Sequence, residues 1–231
     1  MVQKNLMDWF VPFKDLTPAQ RTVVGKTTAK VTGRHWIKGY AGSGKTIAFA
    51  LPLVARLAAT KTPRQPNRPR ALVLVPTREL AMQVAEAVEG YGKALGIRVL
   101  PVYGGQAMDQ QVRALGRGVD VVVATPGRLI DLLDRKALTL EACGYLVLDE
   151  ADQMLDMGFI HALRKIAQYI PLKRQTMLFS ATMPKLIEDL AGTYLRDPVK
   201  VQVAPPGKPV EKIEQSVHYT PQGDKAKLLE T

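Results

Sequence analysis

One cysteine stands among 231 residues. Cys143 has no partner within the chain, so an internal disulfide is excluded and a reducing cytosol is the expected compartment. As a side chain it reads as a small core hydrophobe. Histidine is scarce too: His35, His161 and His218 stand apart, without metal-ligand spacing. No apolar run reaches the roughly 18 residues of a membrane span, so no membrane association is expected. Met1 to Phe10 carries Lys4 and Asp8 and lacks the apolar stretch of a secretory signal. No internal repeat is visible. Acids are the scarcer charge, 21 Asp and Glu against 32 Lys and Arg, which leaves a net charge of +11. Such an excess points to a polyanionic partner, nucleic acid first, or to no more than a basic soluble surface.

What is present suffices for a full core: 46% of residues are hydrophobic. The length suggests one domain with an added fragment. The basic excess is uneven. Residues 1–40 hold seven Lys or Arg against Asp8 and Asp15, and residues 56–70 add Arg56, Lys61, Arg64, Arg68 and Arg70 with no acid. Trp9, Phe10, Phe13 and Trp36 read as core side chains. Thr17-Pro18 opens a helix to about Lys30, with Thr as cap and Pro at the first helical position.

Strand signals then alternate with helix signals. A strand at His35–Lys38 feeds a helix from Lys45 to about Ala59, apolar nearly all round, with Pro52 inside it as a candidate kink. The Pro-rich, basic stretch from Thr60 to Arg70 is expected to be an exposed, mobile loop. Strands are expected at Ala71–Val75, Ile97–Val102, Asp120–Ala124, Tyr145–Leu148, Thr176–Phe179 and Val199–Val203. Helices are expected at Arg78–Ala94, Gln106–Leu115, Gly127–Arg135, Ile160–Tyr169 and Lys185–Leu195. The alternation means βαβ units: an α/β fold, a parallel sheet with helices on both faces.

Two stretches carry chemistry. Tyr145-Leu146-Val147-Leu148 runs straight into Asp149-Glu150-Ala151-Asp152. An apolar run buried on both faces ends in carboxylates at the sheet rim, where open α/β folds bind their ligands. Neighbouring acids repel, and Mg²⁺ takes one or two carboxylates together with phosphate oxygens. The phosphate half is Gly39-Tyr40-Ala41-Gly42-Ser43-Gly44-Lys45-Thr46, which fits G-x-x-x-x-G-K-[ST] between a strand and a helix. Backbone N–H groups of Gly42, Ser43 and Gly44 would cradle phosphates, Lys45 would add charge, and Thr46 would offer a hydroxyl to the metal. Asp149 would hold Mg²⁺, and Glu150 would orient and deprotonate the attacking water. No Asn-Lys-x-Asp base-reading motif is present, which argues against GTP.

With Lys45, the Asp149-Glu150-Ala151-Asp152 run resembles the DEAD-box helicases, superfamily-2 RNA-dependent ATPases. Pro76-Thr77-Arg78-Glu79-Leu80, Gly104-Gly105, Thr125-Pro126-Gly127-Arg128 and Ser180-Ala181-Thr182 follow in the family's order. The resemblance implies the first RecA-like P-loop domain of an ATP-dependent RNA helicase, with ATP and Mg²⁺ as cofactors and RNA as partner. It implies that Thr77, Arg78, Gly105, Thr125, Gly127 and Arg128 contact the RNA sugar-phosphate backbone. It implies that Ser180 and Thr182 couple Asp152 to the RNA side, and that Gln20 reads adenine. Asp156-Met157-Gly158-Phe159 and Ile213-Glu214-Gln215-Ser216-Val217-His218 resemble the bacterial RhlE-type subgroup.

Residues 1–45 depart from the family pattern and are closer to the entry of a superfamily-1 helicase. Residues 46–204 complete the RecA-like domain. Residues 205–231 read as a linker and the start of a second RecA-like domain, needed for full activity and absent here. A monomer is expected. A P-loop ATPase acting on DNA and a non-catalytic module that binds RNA or protein are the alternatives.

Overall fold

A computed structural model describes residues 35–38, 45–60 and 62–202. The expected helix at Thr17, Gln20, the glycine loop through Gly44 and the segment from 205 onward lie outside the described residues.

Among the described residues seven strands form one sheet: β1 (His35–Lys38), β2 (Ala71–Leu74), β3 (Val99–Val102), β4 (Val121–Ala124), β5 (Tyr145–Leu148), β6 (Gln175–Ser180) and β7 (Val199–Gln202). Their order is β3-β4-β2-β5-β6-β1-β7, and every neighbouring pair is parallel. Between them run α1 (Lys45–Ala59), α2 (Arg78–Gly92), α3 (Met108–Gly116), α4 (Pro126–Asp134), α5 (Ala151–Asp156), α6 (Ile160–Ala167) and α7 (Lys185–Tyr194).

The reason the strands are apolar throughout is visible in the packing. Side chains alternate across a strand, and both faces of this sheet are covered. Leu72, Leu74, Val122, Leu146 and Leu148 face one core, under Leu129 and Leu132 of α4, Met154 of α5, Leu163 and Ile166 of α6 and Leu190 of α7. Ala71, Val73, Val121 and Val147 face the other, under Phe49, Leu53 and Val54 of α1 and Val84 and Val88 of α2. Each fully buried Leu, Val or Phe contributes on the order of 1.5–3 kcal/mol relative to exposure. Phe49 and Phe179 meet with ring centroids 5.4 Å apart, tilted by 55°, and so fix α1 against β6.

The element boundaries differ from expectation where local geometry intervenes. Helix α1 runs through Pro52 without interruption. Helix α2 stops at Gly92, and a 3₁₀ turn over Lys93–Leu95 follows, closed by Gly96 at φ 70°. A Cβ on Gly92 would lie 2.7 Å from the Cβ of Ile97, so only glycine admits this turn-back. Helix α5 has no counterpart among the expected elements, because its apolar period is short and begins among acids.

The basic stretch before β2 is exposed at residues 62–66, as expected, but it is tied down. Asp120, fully buried at the start of β4, organises it. Arg70 donates to Asp120 Oδ1 at 3.0 and 2.7 Å, and the Arg64 Nε lies 2.8 Å from Oδ2. The Arg98 backbone N–H completes the set at 2.9 Å. Arg70 also caps the end of α1 through the carbonyls of Leu57 and Thr60 at 3.0 and 3.2 Å. Arg68 pairs with Glu141. Arg64, Arg68 and Arg70 of the acid-free stretch are thus each paired with an acid of the fold, Arg70 largely buried and Arg68 at the surface.

Candidate functional site

Because all strands are parallel, their carboxyl ends share one edge, and every described motif residue lies along it. The sheet order divides that edge in two. Strands β5, β6 and β1 lead to the acidic run, to Ser180-Ala181-Thr182 and to the glycine loop. Strands β3, β4 and β2 lead to Gly104-Gly105, Thr125-Pro126-Gly127-Arg128 and Pro76-Thr77-Arg78.

On the first half, Lys45 and Thr46 open α1. The Lys45 Nζ lies 3.8 Å from Glu150 Oε1, with side chains 10% and 32% exposed. Glu150 has φ 55° and ψ 51°, left-handed backbone at the turn from β5 into α5. For a residue with a Cβ this conformation costs roughly 1–2 kcal/mol. Such strain is characteristic of functional sites, and here it accompanies a carboxylate turned toward Lys45.

Asp149 is 2% exposed. Its N–H donates to the Leu74 carbonyl at 2.9 Å, while its Oδ1 is buried without a hydrogen-bond partner. Burial pushes its carboxyl up to about 6; the charges of Glu150 and Asp152 add to this, and the Lys45 ammonium opposes it. A buried, half-satisfied carboxylate beside a second acid suits a cation. Among the described residues no group of three or more His, Cys, Asp or Glu could hold a metal. A cation here would complete its shell with water or phosphate oxygens, which fits Mg²⁺.

The structure brings Asp152 and Thr182 together. Asp152 Oδ2 accepts from the Ala181 N–H at 3.0 Å, the Thr182 N–H at 2.8 Å and the Thr182 hydroxyl at 3.0 Å. Burial would raise this carboxyl, but the Thr182 donors and the Gln153 N–H outweigh it and hold it below the usual range. The contact joins the start of α5 to the end of β6, where Ser180 is fully buried.

On the second half the six expected contact residues separate. Arg78 and Gly127 are exposed, and Gly105 is exposed at φ 84°. A Cβ on Gly105 would sit 4.0 Å from the Arg78 guanidinium, so these two adjoin; Arg78 pairs with Glu79. Thr77 is half-buried and caps α2, its hydroxyl accepting from the Leu80 N–H at 3.2 Å. Thr125 is buried at 9% exposure, with its N–H on the Val102 carbonyl at 3.0 Å. Arg128 points inward, 12% exposed. It donates to the Gln106 carbonyl at 3.0 Å and to Gln111 Oε1 at 3.1 Å. Gln106 and Gln111 carry no motif, and no sequence signal marks them: Gln106 is an exposed turn residue before α3, and Gln111 is the buried Gln within it.

A phosphate-loop lysine that opens a helix, opposite a strand-end carboxylate on a wholly parallel sheet, defines a RecA-like nucleotide-binding α/β domain. The DEAD/DEAH box helicase family model matches residues 2–190, and the chain belongs to that family. It is 46% identical to the RNA helicase CrhR of Synechocystis over 87% of its own length, and 37% identical to the human probable ATP-dependent RNA helicase DDX23 over 94%. It spans 40% and 30% of those two proteins. Among solved structures, the yeast DEAD-box splicing factor Prp28 superposes with a TM-score of 0.75 at 33% identity, covering 81% of this chain and 46% of that one. A hypothetical ATP-dependent RNA helicase from Sulfolobus tokodaii gives 0.73 at 32% identity, covering 83% and 54%.

Proposed function

We propose that this chain is the ATP-binding, RNA-engaging half of an ATP-dependent RNA helicase, in which a second RecA-like domain completes the machinery that separates RNA duplexes. The observation that carries this reading is the Lys45–Glu150 pair beside the buried Asp149, whose Oδ1 has no partner. Lys45 binds the terminal phosphates of ATP, and Glu150 orients and deprotonates the attacking water. Asp149 and Thr46 hold Mg²⁺, which supplies charge neutralisation on the phosphates when bound. Asp152 and Thr182 fasten the acidic turn to the end of β6, so that nucleotide occupancy is felt there. Along the other half, Arg78 with the N–H groups of Gly104, Gly105 and Gly127 follows a sugar-phosphate backbone, a contact that carries little sequence information. Gln20 supplies adenine recognition.

The Asp156-Met157-Gly158-Phe159 run supports placing the chain near the RhlE-type subgroup. The family match, which starts at residue 2, favours reading residues 1–45 as a divergent entry of the same family. We place the protein in the cytosol as a monomer. The test is ATP turnover by the chain, alone and with a second RecA-like domain added, against RNA and against DNA of matched length. RNA-stimulated turnover that rises on adding the second domain is expected. Turnover stimulated by DNA alone, or nucleic-acid binding with no turnover under any condition, overturns the assignment.

A further inference from the structure

We infer that Gln111 is a positioning residue, which together with Arg128 holds the Tyr103–Gln106 turn in the shape that presents Gly105 to a nucleic-acid backbone. The inference rests on reading the β3–β4–β2 half of the edge as the backbone track. It changes the role of Arg128 from a contact to a brace and adds a residue that no motif names.

Gln111 is 2% exposed on α3, beside the exposed Asp109 and Gln110. A buried amide is costly unless its groups are paired, and here they are. Its Nε2 donates one hydrogen to the Tyr103 carbonyl at 3.1 Å and the other to Gln106 Oε1 at 3.0 Å. Its Oε1 accepts from Arg128 Nη1 at 3.1 Å, and the same nitrogen donates to the Gln106 carbonyl at 3.0 Å. The carbonyls gripped this way, on Tyr103 and Gln106, flank the Gly104-Gly105 pair. Two adjacent glycines have the widest backbone freedom of any dipeptide, and ordering them is correspondingly costly. Gly105 sits at φ 84°, a conformation that a free Gly-Gly turn would hold only part of the time. Every polar atom of the Gln111 side chain is paired, although Arg128 Nε, 3.8 Å from Asp131, has no hydrogen-bond partner; a buried amide held at all its groups favours a single geometry. The Arg128 guanidinium is turned in, whereas Arg78, paired with Glu79, is exposed beside Gly105, where a phosphate could reach it.

The distinction is measurable, because a cation on phosphate and a brace behind the turn respond differently to salt. Binding of a fluorescent single-stranded RNA to the 231-residue chain would be titrated across a salt series. The variants are Gln111→Leu, Gln111→Glu and Arg128→Met, with Arg78→Met for comparison. Arg78→Met should weaken binding and flatten the slope of log affinity against log salt by about 0.7, the share of a single neutralised phosphate on a single strand. Gln111→Leu and Arg128→Met should each weaken binding about tenfold, the scale of one charge-assisted hydrogen bond, with the salt slope unchanged. Their combination should cost little more than either alone, since they act as a unit. Gln111→Leu should leave ATP affinity unaltered. Gln111→Glu keeps the size and the Arg128 partner but loses both donors, so it should loosen the turn although the site stays filled. Hydrogen exchange at the amides of Gly104 to Gln106 should quicken in both Gln111 variants. A salt slope flattened by Arg128→Met as much as by Arg78→Met overturns the inference. So does unchanged exchange at the turn in a folded Gln111→Glu chain. A parent that shows no salt-dependent RNA binding would instead refute the nucleic-acid reading, and hydrogen exchange would still decide the brace.

Discussion

Replacing Asp149 by Asn should stabilise the ligand-free domain while disabling it. The parent carboxylate is 2% exposed, with one oxygen unpartnered. Its carboxyl is raised from 3.8 to about 6, by burial first. An acid whose folded pKa exceeds its unfolded value favours the folded state below the unfolded pKa, and that advantage is lost as pH rises through the folded one. Above about pH 7 the folded chain therefore carries the full penalty of an ionised Asp149, two pKa units or about 3 kcal/mol. Asn removes the charge but leaves Lys45 with less counter-charge and adds an N–H₂ to be satisfied, so a net gain of about 1–2 kcal/mol is the reasonable expectation. For a domain of this size that raises Tm by roughly 2–8 °C. The assay is thermal unfolding of both chains from pH 5 to pH 8, without divalent cation or nucleotide. The Asn advantage should grow as pH climbs through about 6. Added Mg·ATP should reverse the order, because only the parent gains stability through binding. An Asn variant that melts below the parent at pH 8, or an offset independent of pH, refutes the reasoning.

Other outcomes follow from the same geometry. Lys45→Ala should weaken ATP binding, whereas Glu150→Gln should retain it and lose turnover; equilibrium binding beside a turnover assay separates the two. Asp152→Ala leaves the half-buried Ala181 N–H without its acceptor while the exposed Thr182 groups turn to water, so a loss of about 2 kcal/mol is expected in denaturant unfolding. Because the folded Asp152 carboxyl is depressed, its stabilisation is present above the ordinary carboxylate range and disappears on acidification, a slope that the Ala variant should lack. Asp120→Ala should be the most damaging of these, about 3–5 kcal/mol, since it strands the largely buried Arg70; a midpoint shift in urea measures it.

The lines of the fold that a short window can carry are legible in the sequence. Lys45–Ala59 and His35–Lys38 lie where the pattern puts them, and the apolar run into Asp149 is the strand it promises. The Lys45–Glu150 approach and the Asp152–Thr182 contact are foreshadowed only by the family resemblance; without it Ser180-Ala181-Thr182 reads as no more than a strand end. Illegible are the contacts that exist only once the sheet has closed. Arg70 and Asp120 are 50 residues apart and meet because β2 and β4 pair; in the sequence, Arg70 is one more charge in a basic loop. Arg128 reads as an outward cation for the same reason: its partner Gln111 lies 17 residues earlier, on another helix. Gln111 itself carries no pattern, since its acceptors are a backbone carbonyl and a side chain in a turn. Helix α5 escapes a reading by periodicity because its start depends on the left-handed Glu150, which propensity does not foresee.

The Asp149 N–H on the Leu74 carbonyl has a mechanical meaning. It is the last rung between β5 and β2, the pair of strands at which the two halves of the edge are joined. Neither strand has an exposed residue within its span to slacken against, and close-packed interiors compress little. On the proposed function, nucleotide and nucleic acid would press on the two halves of one stiff, close-packed plate, as on an anvil. Any relative travel in the proposed cycle would then fall to the turns standing on that plate, or to the second domain proposed above.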